Sequence, residues 1–165
     1  MADTAELIRT PEECAVAAKN ALERVCSGAG LDPASRYYSP AFCDHVNDLE
    51  FHGIEGIRRS IAMYKAVLSD ISIKVEEQLI QGDRVSSRFV VRGVSGGRRV
   101  HFNGITISRF ENGLIVEDWS VTDTLSMLKQ LGVWRSLTLA IRSWRSMSSP
   151  RPSSRTIPRR CPSAR

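Results

Sequence analysis

The alternation of polar and apolar residues between positions 71 and 122 constrains the fold of this chain more than any other feature. Ile71, Ile73 and Val75 alternate with polar residues, as in a strand that buries one face. Three similar segments follow, and the last two are joined by Asn112-Gly113. Asn-Gly is typical of a two-residue hairpin, because both central residues of a type I′ turn need positive φ. We therefore predict an antiparallel meander of strands at about residues 71–81, 84–94, 99–110 and 114–122.

Helices are predicted on both sides of this meander. Thr10-Pro11 supplies a capping hydroxyl and a proline at the first helical position, and Glu13 lies three residues after the cap. Apolar residues at three- and four-residue spacing then predict helices at residues 11–27 and 54–69, with a closing helical turn at 125–131. Residues 41–51 have no clear period, and we expect a loop there with a short strand near its end. This order predicts an α+β fold, with helices packed on one face of a curved antiparallel sheet.

The basic charge of the chain lies outside this predicted domain. The 165 residues carry a net charge of +5, but residues 133–165 hold eight Arg and no acidic residue, leaving 15 basic against 18 acidic residues before them. We expect no nucleic-acid partner, because phosphate binding needs a basic patch on the folded domain. We divide the chain into an N-terminal arm (1–10), one domain (11–132) and a largely disordered Ser/Arg/Pro-rich extension (133–165). Without an apolar run of membrane-spanning length or a signal core, we expect no membrane partner and a cytoplasmic protein.

One acidic residue stands out when the last two strands are paired directly through the Asn-Gly turn. This register places Asp123 on the same face as Phe102, Trp119 and Val121. A carboxylate against an apolar wall loses hydration, which raises its pKa and makes it a better base at neutral pH. Asp123 is therefore a candidate general base. The alternative is that it caps the helix that begins near Thr124.

The opposite face of the same hairpin suggests a partner. It carries Ile105, Ile107 and Val116, which the predicted pairing leaves uncovered by helices. Apolar patches on small domains are typical of partner surfaces. We therefore predict a homodimer formed through this face of the sheet.

The sequence favours neither a metal site nor a nucleotide cofactor. His45, His52 and His101 lie in separate predicted elements, and no HxH, HxxxH or CxxC spacing occurs. His45 is either a proton shuttle at a cavity mouth or a structural histidine. GxGxxG, GxxxxGK and GxSxG motifs are also absent from the sequence, and we expect the cysteines to be reduced thiols.

A set of short motifs occurs in one order between about residues 10 and 132. They are Tyr38-Ser39-Pro40, Asp44-His45, Gly53-Ile54-Glu55-Gly56-Ile57, Gly82-Asp83-Arg84-Val85, the run from Asn112 to Trp119, Asp123, and Leu128-Lys129-Gln130-Leu131-Gly132. Together they resemble the SnoaL-like polyketide cyclase family, which belongs to the nuclear transport factor 2-like superfamily. The resemblance implies a cone of curved sheet and helices around a deep apolar pocket.

The resemblance also implies an activity. In such cyclases an aspartate in the last strand removes a proton next to a carbonyl, and the enolate closes a ring by intramolecular aldol addition without any cofactor. The matching residue here is Asp123, and His45 is the second catalytic candidate. The implied substrate is a small polyketide or polycyclic compound of secondary metabolism, such as antibiotic biosynthesis, and related isomerisations use the same chemistry. Its predicted contacts are Tyr38, Phe102, Phe110, Trp119 and Val121.

Other functions occur on the same scaffold, so the fold alone does not decide the reaction. One is an epoxide hydrolase in which Asp123 activates water beside Arg109, although the predicted pairing puts these residues on opposite faces. Another is a partner in hydroxylation. A third is a non-catalytic ligand-binding or dimerisation module in which Asp123 is only a helix cap.

Overall fold

A computed structural model of the chain describes residues 10–27 and 34–132. The predicted N-terminal arm, apart from residue 10, and the predicted basic extension lie outside the described residues. In chain order the elements are helix α1 (Pro11–Asn20), a π-helical segment (Ala21–Cys26), a 3₁₀ turn (Ala34–Arg36), strands β1 (Tyr38–Val46) and β2 (Leu49–His52), helix α2 (Gly53–Lys65), strands β3 (Ser69–Gln81), β4 (Arg84–Ser95), β5 (Arg98–Glu111) and β6 (Leu114–Thr122), and helix α3 (Thr124–Leu131).

The first helix begins as predicted. The Thr10 side chain accepts a hydrogen bond from the Glu13 backbone N–H at 3.2 Å, and the Thr10 N–H donates to Glu13 Oε2 at 2.8 Å. These two bonds satisfy donors that no turn of the helix can reach. The helix continues into the π-helical segment, so the prediction of helix over residues 11–27 is confirmed.

Six strands form one mixed sheet in the order β2-β1-β6-β5-β4-β3. The predicted meander of four antiparallel strands is confirmed, and both Asn112 (φ 48°) and Gly113 (φ 73°) have the positive φ that the turn requires. For residues 41–51 the predicted short strand near the end is confirmed as β2, but the predicted loop before it is wrong, because residues 41–46 continue strand β1. Strand β1 pairs in parallel with β6 and antiparallel with β2. Its apolar pattern does not alternate because three consecutive residues, Phe42, Cys43 and Asp44, are all buried.

A β-bulge interrupts the pairing of β5 with β6 and corrects the predicted faces. Phe110 lies opposite Ile115, but Arg109 lies opposite Glu117, so Val116 is an extra residue on β6. Because side chains alternate along a strand, one extra residue exchanges the two faces from that point onward. The predicted grouping of Trp119 and Val121 with the inner face is therefore wrong.

The helices cover one face of the sheet and leave a cavity between the two layers. Two hydrogen bonds join the first helical region to β3: the Val75 N–H donates to Glu23 Oε1 of the π-helical segment at 2.9 Å, and Gln78 Nε2 donates to the Ala15 carbonyl of α1 at 2.9 Å. Gly104 leaves room for the ring of Phe89 against β5, since a Cβ there would come within 2.4 Å of that ring. Within residues 10–27 and 34–132, no helix combines the length and hydrophobicity that crossing a membrane requires.

Candidate active site

The cavity lies between the inner face of the sheet and the helices. It encloses about 660 Å³ of empty space, counting its open mouth. Most of its wall is apolar, with contributions from the π-helical segment, α2 and the inner faces of β1, β3 and β4. Examples are Leu22, Phe42, Ile57, Ile61, Phe89 and Val91. A wall of this composition suits an apolar small molecule and lowers the local dielectric around any polar group within it.

Two carboxyl groups interrupt this apolar wall side by side. Asp44 on β1 and Asp118 on β6 both line the cavity, and the two residues are direct register partners on neighbouring parallel strands. Neighbouring strands lie about 4.8 Å apart, so the two side chains leave the sheet next to each other. Asp44 is 9% exposed and Asp118 is 5% exposed. The bulge at Val116 is what turns Asp118 toward the cavity and Glu117 away from it.

Burial perturbs both acids in the same direction. The pKa of Asp118 is raised to about 7, with loss of hydration as the largest cause; a hydrogen bond with Ser108 lowers the pKa and the charge of Glu117 raises it. Loss of hydration also raises the pKa of Asp44 well above its usual range, with the charge of Asp118 as the second cause and a hydrogen bond with Ser60 opposing both. A carboxyl group that titrates near pH 7 is matched to proton transfer at neutral pH.

Asp118 also has an unsatisfied acceptor. Its Oδ1 atom is buried and has no hydrogen-bond partner among the described residues. A buried acceptor without a partner costs free energy, and in native proteins such a group calls for a functional explanation. Here the unsatisfied oxygen belongs to a residue in the wall of the cavity, where a ligand can supply the missing partner.

The remaining polar groups of the cavity are uncharged. Tyr64 Oη lies 3.3 Å from Thr122 Oγ1, and Tyr38 Oη lies 3.5 Å from Cys26 Sγ. Loss of hydration raises the pKa of both tyrosines and raises that of Cys26 to about 12. All three groups are therefore protonated at neutral pH. No lysine, arginine or histidine among the described residues lines this cavity.

Asp123 lies outside the cavity. Its side chain accepts a hydrogen bond from the Ser126 N–H at 2.8 Å and caps helix α3, and the residue is exposed. The face assignment that supported it as a base is wrong because of the bulge at Val116. The alternative stated from the sequence, a helix cap, is confirmed as its structural position.

His45 and Trp119 lie together on the outer face of the sheet. Their rings stack at 5.4 Å, and His45 Nε2 lies 3.1 Å from Oε1 of the buried Glu117. Arg109 Nε donates to the other oxygen of Glu117 at 3.1 Å. Arg109 therefore does not face the cavity, which removes the geometry that an epoxide hydrolase with Arg109 and Asp123 requires. Val121 is also on this face and is 66% exposed.

Of the predicted substrate contacts, Tyr38 lines the cavity. Phe102 and Phe110 are buried in the packed core, where Phe102 stacks on Tyr64 at 6.2 Å, and neither ring contributes to the cavity wall. Neither Asp44 nor Asp118 is among the site residues predicted from the sequence. The available signal was the pair Glu117-Asp118, because two consecutive acids in a strand must face opposite sides of the sheet.

One group of possible metal ligands occurs among the described residues, on β1 and β2. Ligand atoms of Cys43, Glu50 and His52 lie within 4.8 Å of one another. Cys43 is disulfide-bonded, so its sulfur is not a thiolate ligand, and the prediction of reduced thiols is wrong at this position. Glu50 and His52 are exposed and pair at 2.9 Å.

Comparison with known proteins connects this geometry to a family. The family model described as SnoaL-like polyketide cyclase matches residues 16–131. The chain belongs to the SnoaL-like polyketide cyclase family. Among proteins with curated functional descriptions, none matches the sequence.

Several solved structures have the same fold as this chain. A proposed polyketide cyclase from Bacillus cereus ATCC 10987 is 24% identical, with a TM-score of 0.66 over 73% of this chain and 81% of that one. IdmH from Streptomyces antibioticus, also a proposed polyketide cyclase, is 23% identical, with a TM-score of 0.63 over 75% and 99%. A protein from Catenulispora acidiphila with a ketosteroid isomerase-like fold is 18% identical, with a TM-score of 0.61 over 74% and 93%. These likenesses identify the fold as the nuclear transport factor 2-like cone.

Proposed function

We propose that this member of the SnoaL-like family is a cofactor-independent enzyme in which Asp118 removes a proton next to a carbonyl group. Its substrate would be a polyketide or polycyclic ketone, and the enolate would close a ring by intramolecular aldol addition or undergo a related isomerisation. We further propose that the enzyme is a cytoplasmic homodimer of secondary metabolism, such as antibiotic biosynthesis. The observation that carries the proposal is a buried carboxylate with a pKa near 7 and an unsatisfied oxygen in the wall of an apolar cavity.

The chemistry follows from the surroundings of Asp118. At neutral pH a substantial fraction of this carboxylate is ionised, yet it has little hydration to lose when a substrate arrives. It takes the proton from the carbon, and the electron pair of the C–H bond becomes the C=C bond of the enolate. The enolate carbon then attacks a second carbonyl carbon of the same molecule. The resulting alkoxide takes the proton back from Asp118, so that atoms and charge balance over the cycle.

The cavity contributes by holding the substrate in one conformation. Apolar side chains from α2, β3 and β4 surround the acid pair, so a flexible chain of carbonyl groups would be folded against a dry wall. Positioning two ends of one molecule lowers the barrier of a ring closure by removing translational and rotational freedom before the reaction.

Comparison of Asp118→Asn with Asp123→Asn tests this assignment. The probe is α-tetralone, a bicyclic ketone, whose α-protons exchange with D₂O and are followed by NMR. We expect wild-type protein to accelerate the exchange and Asp118→Asn to lose roughly 10²- to 10⁴-fold of that rate, since asparagine does not accept a proton. Asp123→Asn is the matched control, because asparagine is also a good helix cap, and we expect its rate to stay within a few-fold of wild type.

Three outcomes contradict the proposal. If Asp123→Asn loses the activity and Asp118→Asn keeps it, the base is Asp123, as the family resemblance implies. If both variants exchange as fast as wild type, neither carboxylate is the base. If wild-type protein binds the ketone without accelerating exchange, the cavity is a ligand-binding site without proton-transfer activity.

A further inference from the structure

An enolate in this cavity needs a group that stabilises its oxygen. Removing a proton from carbon places negative charge on the former carbonyl oxygen, and an enzyme stabilises that charge with a cation or with hydrogen-bond donors already in position. The cavity wall holds no basic side chain among the described residues. The donors must therefore be neutral groups.

Asp44 is the other acid in the wall of the cavity. It is the direct register partner of Asp118 and lines the same cavity. Two adjacent carboxyl groups in a medium of low dielectric do not ionise together, because each charge opposes the other. The singly charged pair therefore holds one proton, which lies on either Asp44 or Asp118.

When Asp118 is the ionised base, as proposed above, the one proton of the pair lies on Asp44. Burial raises the pKa of both acids, and the charge on Asp118 is a further cause of the rise at Asp44. The other neutral donors of the cavity are weaker acids than a carboxyl group. Two of them, Tyr38 and Tyr64, already contact Cys26 and Thr122 respectively.

We propose that Asp44 acts as the acid partner of Asp118, with its neutral carboxyl group donating a hydrogen bond to the substrate oxygen on which the enolate charge develops. This inference rests on the proposed function. The base and the donor then contact two neighbouring atoms of one substrate, the acidic carbon and the adjacent carbonyl. The cavity should therefore prefer ligands that carry an acidic hydroxyl group next to an apolar ring, as enols and phenols do.

Binding of 2-naphthol tests the donor role without any turnover. Its fluorescence differs between naphthol and naphtholate, so one titration gives both affinity and ionisation state. Asp118→Asn is the background, since it removes the negative charge that would repel a naphtholate. In this background we expect tight binding with naphtholate character. Adding Asp44→Leu should weaken binding by roughly 10- to 100-fold, because a hydrogen bond to a charged oxygen is lost. Adding Asp44→Asn should cost only a few-fold, because its amide N–H still donates.

Equal affinities in the Leu and Asn variants would overturn the inference. Infrared spectroscopy gives a second measurement that does not depend on whether Asp44→Leu folds. At pH 8 we expect the carbonyl stretch of a protonated carboxylic acid in the wild-type protein and its loss in Asp44→Asn. If that band is absent from wild type, Asp44 is ionised and is not the donor. The two proposals can fail separately. If Asp118→Asn exchanges protons as fast as wild type, Asp118 is not the base. If the Leu and Asn variants bind naphthol equally well, or if wild type lacks the carboxylic acid band, Asp44 is not the donor.

Discussion

Burial raises the pKa of Asp118, so ionisation of this carboxylate should destabilise the folded protein. Asp118→Asn does not ionise at this position, so comparison with wild type should measure the lost free energy of unfolding. The pKa of Asp118 is raised from 3.8 to about 7, chiefly by loss of hydration. Each pH unit of difference between the folded and unfolded pKa corresponds to about 1.4 kcal/mol. Ionised Asp118 therefore lowers the free energy of unfolding by about 4 kcal/mol, a large fraction of the stability of an ordinary domain.

The direction of the pH dependence follows from proton binding. Between pH 3.8 and about 7 the folded protein binds more protons at this position than the unfolded chain, so the free energy of unfolding decreases as pH rises. The contribution of Asp118 to stability is complete below pH 3.8 and is lost once pH has passed through about 7. Asparagine resembles the protonated acid at every pH. We therefore expect the stability advantage of Asp118→Asn over wild type to grow by about 3 kcal/mol between pH 5 and pH 8.

Urea unfolding of both proteins at pH 5 and pH 8 measures this difference. Subtracting wild type from the variant at each pH cancels the titrating groups that do not interact with Asp118, and the remaining difference includes the response of its partner Asp44. Asp123→Asn serves as the control for the same chemical change, because the Asp123 side chain is exposed and lies outside the cavity. An advantage of the same size at both pH values would refute the argument that burial raises the pKa of Asp118.

Two further predictions concern catalysis and assembly. The rate of α-proton exchange should rise with pH and level off above about 7, since only ionised Asp118 accepts a proton; a flat profile from about pH 5 to pH 9 contradicts this assignment. Ile105 and Ile107 on the outer face of the sheet are 50% and 38% exposed, and we expect light scattering at roughly tens of micromolar to show a dimer that Ile107→Glu converts to monomer. A monomeric wild-type protein at that concentration rules out the predicted interface.

Periodicity predicted the part of the fold in which each element has one buried face. Strands β3 to β6 and helix α1 lie where the periodicity predicts them, and the Asn112-Gly113 turn joins β5 to β6 in the structure as the sequence indicates. Strand β1 has no such pattern. It lies between β6 and β2, and its buried residues include both an inner-face acid, Asp44, and an outer-face residue, Cys43. A strand buried on both faces gives no alternation to detect.

The site was missed because one residue changes the register. Counting outward from the hairpin turn is correct as far as Ile115 and fails after Val116, the extra residue of the bulge. Every later residue of β6 then faces the side opposite to the one predicted. The error placed Asp118 on the outer face and Asp123 and Trp119 on the inner one, which is the reverse of their positions in the structure.

The outer face explains why the bulge keeps this register. Glu117 is buried there and accepts a hydrogen bond from Arg109 Nε, while His45 lies within hydrogen-bond distance of its other oxygen. Without the extra residue, Glu117 would face the apolar cavity and lose the arginine that neutralises it, at the cost of leaving a buried charge unpaired. The ion pair outside the sheet therefore favours the register that holds Asp118 inside. The contacts of Glu117 on the opposite face of β6 therefore oppose the loss of stability that ionised Asp118 causes.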